Sequence, residues 1–577
     1  MLDAQRLYGP DASDHWSAGD VAAGRNLARL LPEDRFDAQP AVGGGGRFVL
    51  VADLRIDNRM EIGAALGIDG RSLAVWSDSA VLLAAWEIWQ EACLERLVGD
   101  FAFALWDVER RAFFLARDFA GQRPLHFHFS AGFFAFASMP AGLHALPEIE
   151  RAPDLDYAAR ALTAGIAPPS GSWFAGVERV RPGHLLTVRA GGAEQRRWWR
   201  PAEEPLRLPS ARDYADGLRD HLDRAVAARL RGQGEAAAHL SAGLDSSAVA
   251  TSAAHLLAPA GRVFAFTAIA RPGYCESRSP PLLDEGPLAA ATAAVWPNIE
   301  HVMLPAAGAL PLDRLDFYTE LFGQPLPNLC NLPWTMAIAD AVRARGLKVL
   351  LTGQYGNFAF SYDGMLLLPD LLRRGRLPAL ARHSASLWRG GFVRPRSLAG
   401  ALVRPFLARG PLPDRERDQR LRAFELNEVG RLLKGELARS GVDCRDPTAD
   451  RRLVEFCFAI PPEEFVRGGI PRSLARRALA GRVPELVLSE PAKGVQAPDW
   501  HEPAFAQRDA LAAQLEAFAA TPASALLPVE RLRGMIDEWS GADWTRASVS
   551  RDYRAGLLRA VSLAQFLRHA SQGASAG

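Results

Sequence analysis

The sequence predicts a two-domain chain: an α+β unit built on antiparallel strands, followed by an α/β unit built on a parallel sheet covered by helices. Three observations predict it. At 577 residues with 49% hydrophobic content, the chain exceeds one ordinary core. Its first third carries short aromatic strands in hairpin order, and its middle alternates apolar strands with helical segments.

The early strands read "RFVLVADLRI" (47–56), "FAFALWD" (101–107), "AFFLARD" (112–118) and "FFAFAS" (133–138), each near period two. Only "VERR" separates the middle pair, which makes them an antiparallel hairpin. Between strands, "SDSAVLLAAWEIWQEACLERL" predicts a helix that Ser77 or Asp78 can cap. Glycines, prolines and charges in "GGAEQRRWWRPAEEPLRLPSAR" (191–212) mark a linker, giving domains at 1–195 and 210–570. Beyond it the strands "AAAHL", "RVFAFTAIA", "EHVML" and "LKVLLT" alternate with helices such as "SSAVATSAAHLL" and "PWTMAIADAVRARG". That order predicts a parallel sheet. The terminal "HASQGASAG" reads as a disordered tail.

Charge and targeting signals narrow the partners. Sixty-seven basic residues balance 66 acidic ones, so nothing in the overall charge favours nucleic acid or an anionic membrane. No signal peptide or bilayer-length apolar run is present, and the expectation is a cytoplasmic protein. Five scattered cysteines (Cys93, Cys275, Cys330, Cys444, Cys457) form no zinc-type spacing and read as reduced thiols. From Arg373 to Arg422, thirteen arginines stand against three acids. This stretch is either a grip for an acidic peptide or a solvated helical face.

The most informative stretch is "AAAHLSAGLDSSAVATSAAHLL". An apolar strand ends at Leu240, a loop follows, and a helix is predicted to begin at Ser246. A strand-loop-helix turn of small residues presents outward N–H groups at the positive end of a helix, which suits phosphate. Ala242 and Gly243 permit close backbone approach, and Ser241, Ser246 and Ser247 supply hydroxyls. Asp245 would repel phosphate unless a cation intervenes, so it predicts Mg²⁺. The bland alternative is a serine-rich turn with an aspartate at a helix start. Lacking the GxxxxGK[ST] lysine, this is not a Walker loop.

The string resembles the SGGxDS pyrophosphate loop of the ATP pyrophosphatases, with Ala242 at a usual glycine. The resemblance implies ATP as substrate, adenylation of a carboxylate, and release of pyrophosphate. Similarity to the asparagine synthetase family then covers most of the chain: residues 78–128, "FAGVERVRPGHLLTV" (174–188), and "GVDCRDPTADRRLVEFCFAIPPEEF" (441–465) with Arg445, Pro447, Asp450 and Glu455 in place. It implies an Ntn-hydrolase-like antiparallel sandwich joined to a helix-rich, parallel-sheet ATP pyrophosphatase domain.

Two departures refine that expectation. A glutamine-hydrolysing member needs a cysteine after the initiator methionine, whose thiol and freed amine form the nucleophile site. Leu2 stands there, so glutaminase activity is expected to be absent. The second departure is "LLTGQYGNFAFSYDG" (351–364), aligned with the family's L-T-G-E-G-G-D-E segment. Gly353 and Gly356 are kept, but Gln354 and Asn357 replace acids. An amide oxygen at Asn357 can ligate Mg²⁺ without adding charge, which leaves more of the work to Asp245 and the phosphates.

Family members without the cysteine include β-lactam synthetases and lasso peptide isopeptide cyclases. The resemblance therefore implies macrolactam closure in a ribosomal precursor peptide, with a leader-peptide-binding protein and a protease as pathway partners. Alternatives are an ammonia-dependent or β-lactam-type small-molecule amide ligase, and an inactive peptide-binding scaffold. By the same resemblance Lys493 in "SEPAKGVQAP" aligns near the family's transition-state lysine. Thr267 aligns where the family's backbone meets adenine, although a plain strand residue would look the same. Asp284 and Glu285 are either metal or substrate ligands, or helix-start acids. Arg445 and Asp450 read as a structural pair or a helix cap, and His126 and His128 as strand residues. No general base is evident.

Overall fold

A computed structural model describes residues 1–162, 168–274, 284–305, 308, 310–389, 400, 416–426, 429–491, 494, 498–544 and 546–574. In chain order the strands are β1 (Ala12–Ala18), β2 (Val21–Leu27), β3 (Ala41–Gly43), β4 (Phe48–Ile56), β5 (Gly99–Asp107), β6 (Ala112–Arg117), β7 (His126–Phe129), β8 (Phe134–Ala137), β9 (Glu178–Arg179), β10 (His184–Arg189) and β11 (Gly192–Arg197). These build the first domain. β12 (Glu235–His239), β13 (Arg262–Ile269), β14 (Ile299–Pro305), β15 (Val349–Leu351) and β16 (Asp443–Arg445) build the second.

In the first domain, β11-β10-β6-β5-β4-β3 form a six-stranded antiparallel sheet. The predicted hairpin is there, with Asp107 opposite Ala112. One face carries Phe101, Phe103, Leu105 and Phe114, which pack on Trp86 and Leu82 of the helix Asp78–Trp89. Ser77 caps that helix by accepting from the Ala80 N–H at 3.2 Å. The other face (Val51, Ala102, Ala104, Leu115) meets Phe127 of the three-stranded sheet β8-β7-β9. The result is a sandwich closed by aromatic residues, each burying a large apolar area. His126 and His128 lie on β7, where each Nδ1 meets a backbone oxygen, of Ser138 and Gly176 respectively.

The predicted linker begins later than its glycines suggest. Gly192–Arg197 is β11, an edge strand whose polar residues face solvent beside β10. Edge strands need no apolar alternation, which is why composition reads this one as loop. At the other terminus, the helix Leu558–Ala574 takes in residues 569–574 of the expected tail. Of the arginine-rich stretch, 390–399 and 401–415 fall outside the described residues. The described part lies mainly on the helices Leu377–Arg389 and Glu416–Leu426.

The second domain's sheet is wholly parallel, in the order β14-β13-β12-β15-β16. β16 has no apolar pattern of its own; it is recruited by β15, with Leu350 opposite Cys444. Helices Ala211–Arg229 and Leu244–Leu257 cover one face, and Leu332–Ala344 the other. Chain order reverses across β12, which pairs with β13 on one side and β15 on the other. In open parallel sheets the crevice beyond that switch point is where ligands bind.

Buried ion pairs join the domains. Arg229 of the second domain reaches Asp57 of the first at 3.0 Å and its own domain's Asp450 at 2.7 Å. Arg123 reaches Asp443 at 3.3 Å, and Lys434 reaches Asp53 at 2.6 Å. Asp450 also caps the helix Arg451–Ala459, while Arg445 pairs with Asp443 at 2.7 Å. The two residues expected as a pair thus serve different partners. Cys93, Cys330 and Cys457 are buried free thiols, and Cys444 is half-buried.

Candidate functional site

Both predicted loops emerge at the switch point. Leu240 continues the line of β12 through its N–H, which donates to the Phe266 carbonyl at 2.8 Å. Thr267 is buried on β13; its hydroxyl donates to the Leu240 carbonyl at 2.8 Å and lies 2.7 Å from His301 Nε2. That hydroxyl ties two strands together at the base of the loop, so a ligand there would meet the backbone of Thr267 rather than its side chain.

The helix starts at Leu244, two residues before the sequence expectation, with Gly243 as N-cap. Asp245 and Ser246 therefore sit within its first turn. Within the loop, Ser241 and Ser246 hydroxyls are 2.7 Å apart, Ser246 Oγ accepts the Ser241 N–H at 3.1 Å, and Ser241 Oγ accepts the Gly243 N–H at 3.0 Å. Ser247 donates to the Ser241 carbonyl at 3.4 Å. These bonds preform a tight turn of hydroxyls at the positive end of a fourteen-residue helix, which suits an anion.

The second loop packs on the first. A Cβ built at Gly353 would lie 3.1 Å from Asp245 Cβ, and one built at Gly356 would overlap the Asp245 carboxylate. Gly356 is therefore a steric necessity of this contact, and Gly353 leaves room for a Cβ only if its neighbours give by a few tenths of an ångström. Gln354 and Asn357 are exposed. The Asn357 amide oxygen accepts a bond from Arg472 at 3.0 Å. In this structure that oxygen is engaged by a guanidinium, while the Asp245 carboxylate lies against the second loop. Among the described residues no three His, Cys, Asp or Glu side chains converge as a metal site.

Several participants were not anticipated from the sequence. Asp446 accepts the Tyr355 N–H at 2.9 Å and the Thr448 N–H at 2.8 Å, fixing the second loop from beneath. Burial raises its carboxyl to about 6 despite those bonds. Its position in "CRDP", inside a stretch already singled out, was the only available signal. Arg472, in a left-handed conformation (φ 60°), gave none. His239 precedes the first loop, with its ring against Trp334, and burial lowers its imidazole to about 4. It is neutral at pH 7 and a weak base.

Lys493 lies outside the described residues, but its neighbour Gly494 packs so tightly that a Cβ there would overlap the Glu285 carboxylate. Glu285 is buried as the N-cap of the helix Gly286–Ala293, and Asp284 is exposed, accepting the Gly286 N–H at 2.9 Å. A cavity lined by Leu2, Gln5, Arg25 and Asp53 of the first domain and Lys434 of the second lies beside β2. Leu2 presses on Gly24, where an added Cβ would come within 2.8 Å of a leucine methyl.

The fold and this cleft define a two-domain α/β protein with an anion-binding loop at the switch point of its parallel sheet. Residues 217–566 match the family described as asparagine synthase, and residues 1–199 match the glutamine amidotransferase domain. The chain belongs to the asparagine synthase family, and it is an ATP-dependent C–N ligase of the kind that forms AMP and pyrophosphate. It is 24% identical over 525 residues to asparagine synthetase [glutamine-hydrolyzing] 3 of Bacillus subtilis, covering 88% of this chain and 84% of that one. A putative asparagine synthetase [glutamine-hydrolyzing] of Mycobacterium tuberculosis is 26% identical over 558 residues, covering 86% and 83%. Amidase chry2 of Gibberella zeae is 27% identical over 385 residues, covering 63% and 54%. The solved glutamine phosphoribosylpyrophosphate amidotransferase from B. subtilis aligns with a TM-score of only 0.22 at 13% identity, covering 43% of this chain and 62% of that one. No described helix is long and apolar enough to cross a membrane.

Proposed function

We propose that the chain closes a macrolactam in a ribosomal precursor peptide, activating an Asp or Glu side chain with ATP for attack by the peptide's own N-terminal amine. The observation that carries this reading is Leu2. A leucine wedged on Gly24 replaces the nucleophilic cysteine of glutamine-hydrolysing relatives, and no cysteine lines the adjoining cavity. Without glutamine hydrolysis the amine must come from elsewhere, and an amine within the substrate needs no ammonia supply.

In this mechanism the carboxylate oxygen attacks the α-phosphorus of ATP, forming an acyl-adenylate and expelling pyrophosphate. The N-terminal amine then attacks the acyl carbon, the amide bond forms, AMP leaves, and the amine's proton passes to solvent. Ser241, Ser246, Ser247 and the first-turn amides around Gly243 hold the departing pyrophosphate. Asp245 would hold Mg²⁺, which would neutralise phosphate charge when bound, with the Asn357 amide oxygen as a second, uncharged ligand if Arg472 releases it. Gly353 and Gln354 border the nucleotide, and Lys493 supplies a cation to the acyl-transfer step. Holding both peptide ends together gives the second step its effective concentration. The first domain is then an Ntn-hydrolase-like remnant, and a leader-peptide-binding protein and a protease deliver the core peptide.

The test is incubation with ATP, Mg²⁺ and leader-cleaved precursor, followed by nucleotide analysis and peptide mass spectrometry. Stoichiometric AMP and loss of one water from the peptide are expected. AMP formed instead with free aspartate and ammonia would replace this reading with that of a small-molecule amide ligase, and AMP with neither would overturn it.

A further inference from the structure

We propose that the loop 118–124 of the first domain fixes the second loop of the adenylation site, with Tyr355 as the positioning residue between them. The inference rests on reading the two loops as the ATP site. It also supplies a reason for the chain to keep a domain that has lost its nucleophile.

Tyr355 lies between Gly353 and Gly356, the glycines that press on Asp245, and is only 1% exposed. Its hydroxyl crosses the domain boundary to donate to the Ala120 carbonyl at 3.3 Å. Its ring packs on Phe424 at 4.8 Å between centroids, and Phe424 stacks on Phe119 at 5.5 Å. Phe119 in turn meets Trp199 at 4.7 Å. The second loop therefore reaches residues 119–120 twice, once by a hydrogen bond and once through a column of rings.

The first-domain side of this contact is densely hydrogen-bonded. In the 118–124 loop, the buried Asp118 carboxylate accepts N–H bonds from Ala120 (3.0 Å), Gln122 (3.0 Å) and Arg123 (3.2 Å). From the preceding strand, fully buried Arg117 donates to the carbonyls of Gly121 (2.9 Å), Arg123 (2.7 Å) and Val180 (2.7 Å). Gly430 closes the far side, so tightly that a Cβ there would overlap the Gly121 carbonyl. Charge-assisted bonds of this density hold one geometry. Among the described residues the second loop has the short turn Gly356–Phe358, the Asp446 carboxylate that accepts the Tyr355 N–H, and bonds donated by Arg472 to Asn357 and by Arg420 to the Phe358 carbonyl. Held by two buried ionised side chains, the 118–124 loop gives Tyr355 a fixed acceptor and so sets its position. Because Tyr355 adjoins Gly356, displacing it changes the space beside Asp245, and small displacements at a reacting centre carry large rate costs.

The test compares the full chain with Tyr355→Phe, which removes only the hydroxyl, and Phe119→Leu, which shortens the ring column. Hydrogen–deuterium exchange is followed in the unliganded protein, and ATP KM and kcat are followed in AMP formation. Exchange across residues 352–358 is expected to rise about threefold or more in both variants, the scale of one lost hydrogen bond, while the helix Asp78–Trp89 is unchanged. KM for ATP is expected to rise by a similar factor, more than kcat falls. Unchanged exchange across 352–358 in both variants, or an increase spread evenly over the chain, would overturn the proposal. Exchange is read without substrate, so a wild-type chain that makes no AMP would sink the function and leave this test standing.

Discussion

The Asp245 carboxylate occupies the space that a Cβ at Gly356 would need. One loop thus carries the acid expected at the candidate phosphate site, and the other carries the gap that admits it. Gly356→Ala must push that carboxylate, the second loop, or both. We expect AMP formation to fall by about 100-fold, the scale of a displaced charge-stabilising group. The melting temperature should fall as well, because Gly356 is buried and has no room for a Cβ. A variant with wild-type turnover would remove the steric argument.

Asp245→Asn keeps the shape of the side chain and removes its charge. If the carboxylate bridges to phosphate through Mg²⁺, this variant should lose about 100-fold or more in kcat/KM for ATP. Its Mg²⁺ dependence should shift to higher concentration, while circular dichroism and melting temperature stay near wild type. A Mg²⁺ titration at fixed ATP checks the outcome. An unshifted midpoint would leave Asp245 only its first-turn interaction with the helix dipole.

Asn357 is expected to matter little to metal. Its oxygen faces Arg472 at 3.0 Å. Asn357→Ala should leave the Mg²⁺ midpoint within about twofold, since an exposed hydrogen bond is worth little net. Arg472→Met should likewise leave it near wild type. A large loss of Mg²⁺ affinity in Asn357→Ala would mean that Arg472 swings away when nucleotide binds.

The sequence makes the fold class and the first loop legible for a physical reason. Buried parallel strands must be apolar, and phosphate loops must be small and hydroxylated, so both leave local signatures. β11 and β16 left none, since one is a polar edge strand and the other a three-residue strand held by its neighbour. Gly353 and Gly356 were readable as kept glycines, but their reason, the Asp245 side chain, lies more than a hundred residues away. Arg472 and the Tyr355–Ala120 contact were invisible for the same cause, and Asp446 was marked only by its place in a singled-out stretch. Each acts through a partner that only tertiary packing brings near.

The interdomain charges give the last prediction, on acid stability. Lys434 and Asp53 form a buried pair at 2.6 Å. Burial pulls the Lys434 ammonium below its usual range. Burial would also raise Asp53, but Lys434, Arg123 and Arg25 outweigh it and hold that carboxyl far below the ordinary carboxylate range. The carboxylate's direction governs acid behaviour. A carboxyl depressed on folding contributes stability that is fully present above its unfolded value near 4 and is lost as pH falls below it. Asp443, lowered to about 2 by Arg123 and Arg445 against its burial, acts in the same sense. Stability should therefore fall steeply between about pH 4 and pH 2. Lys434→Met leaves Asp53 buried without its nearest cation and should cost about 3–5 kcal/mol at pH 7. Without that cation Asp53 protonates more readily, so the deficit should shrink as pH falls toward about 4. Urea unfolding of both proteins from pH 7 to pH 4 measures the difference. A deficit that stayed constant across that range would mean that Lys434 acts through packing and that the charge of Asp53 contributes nothing.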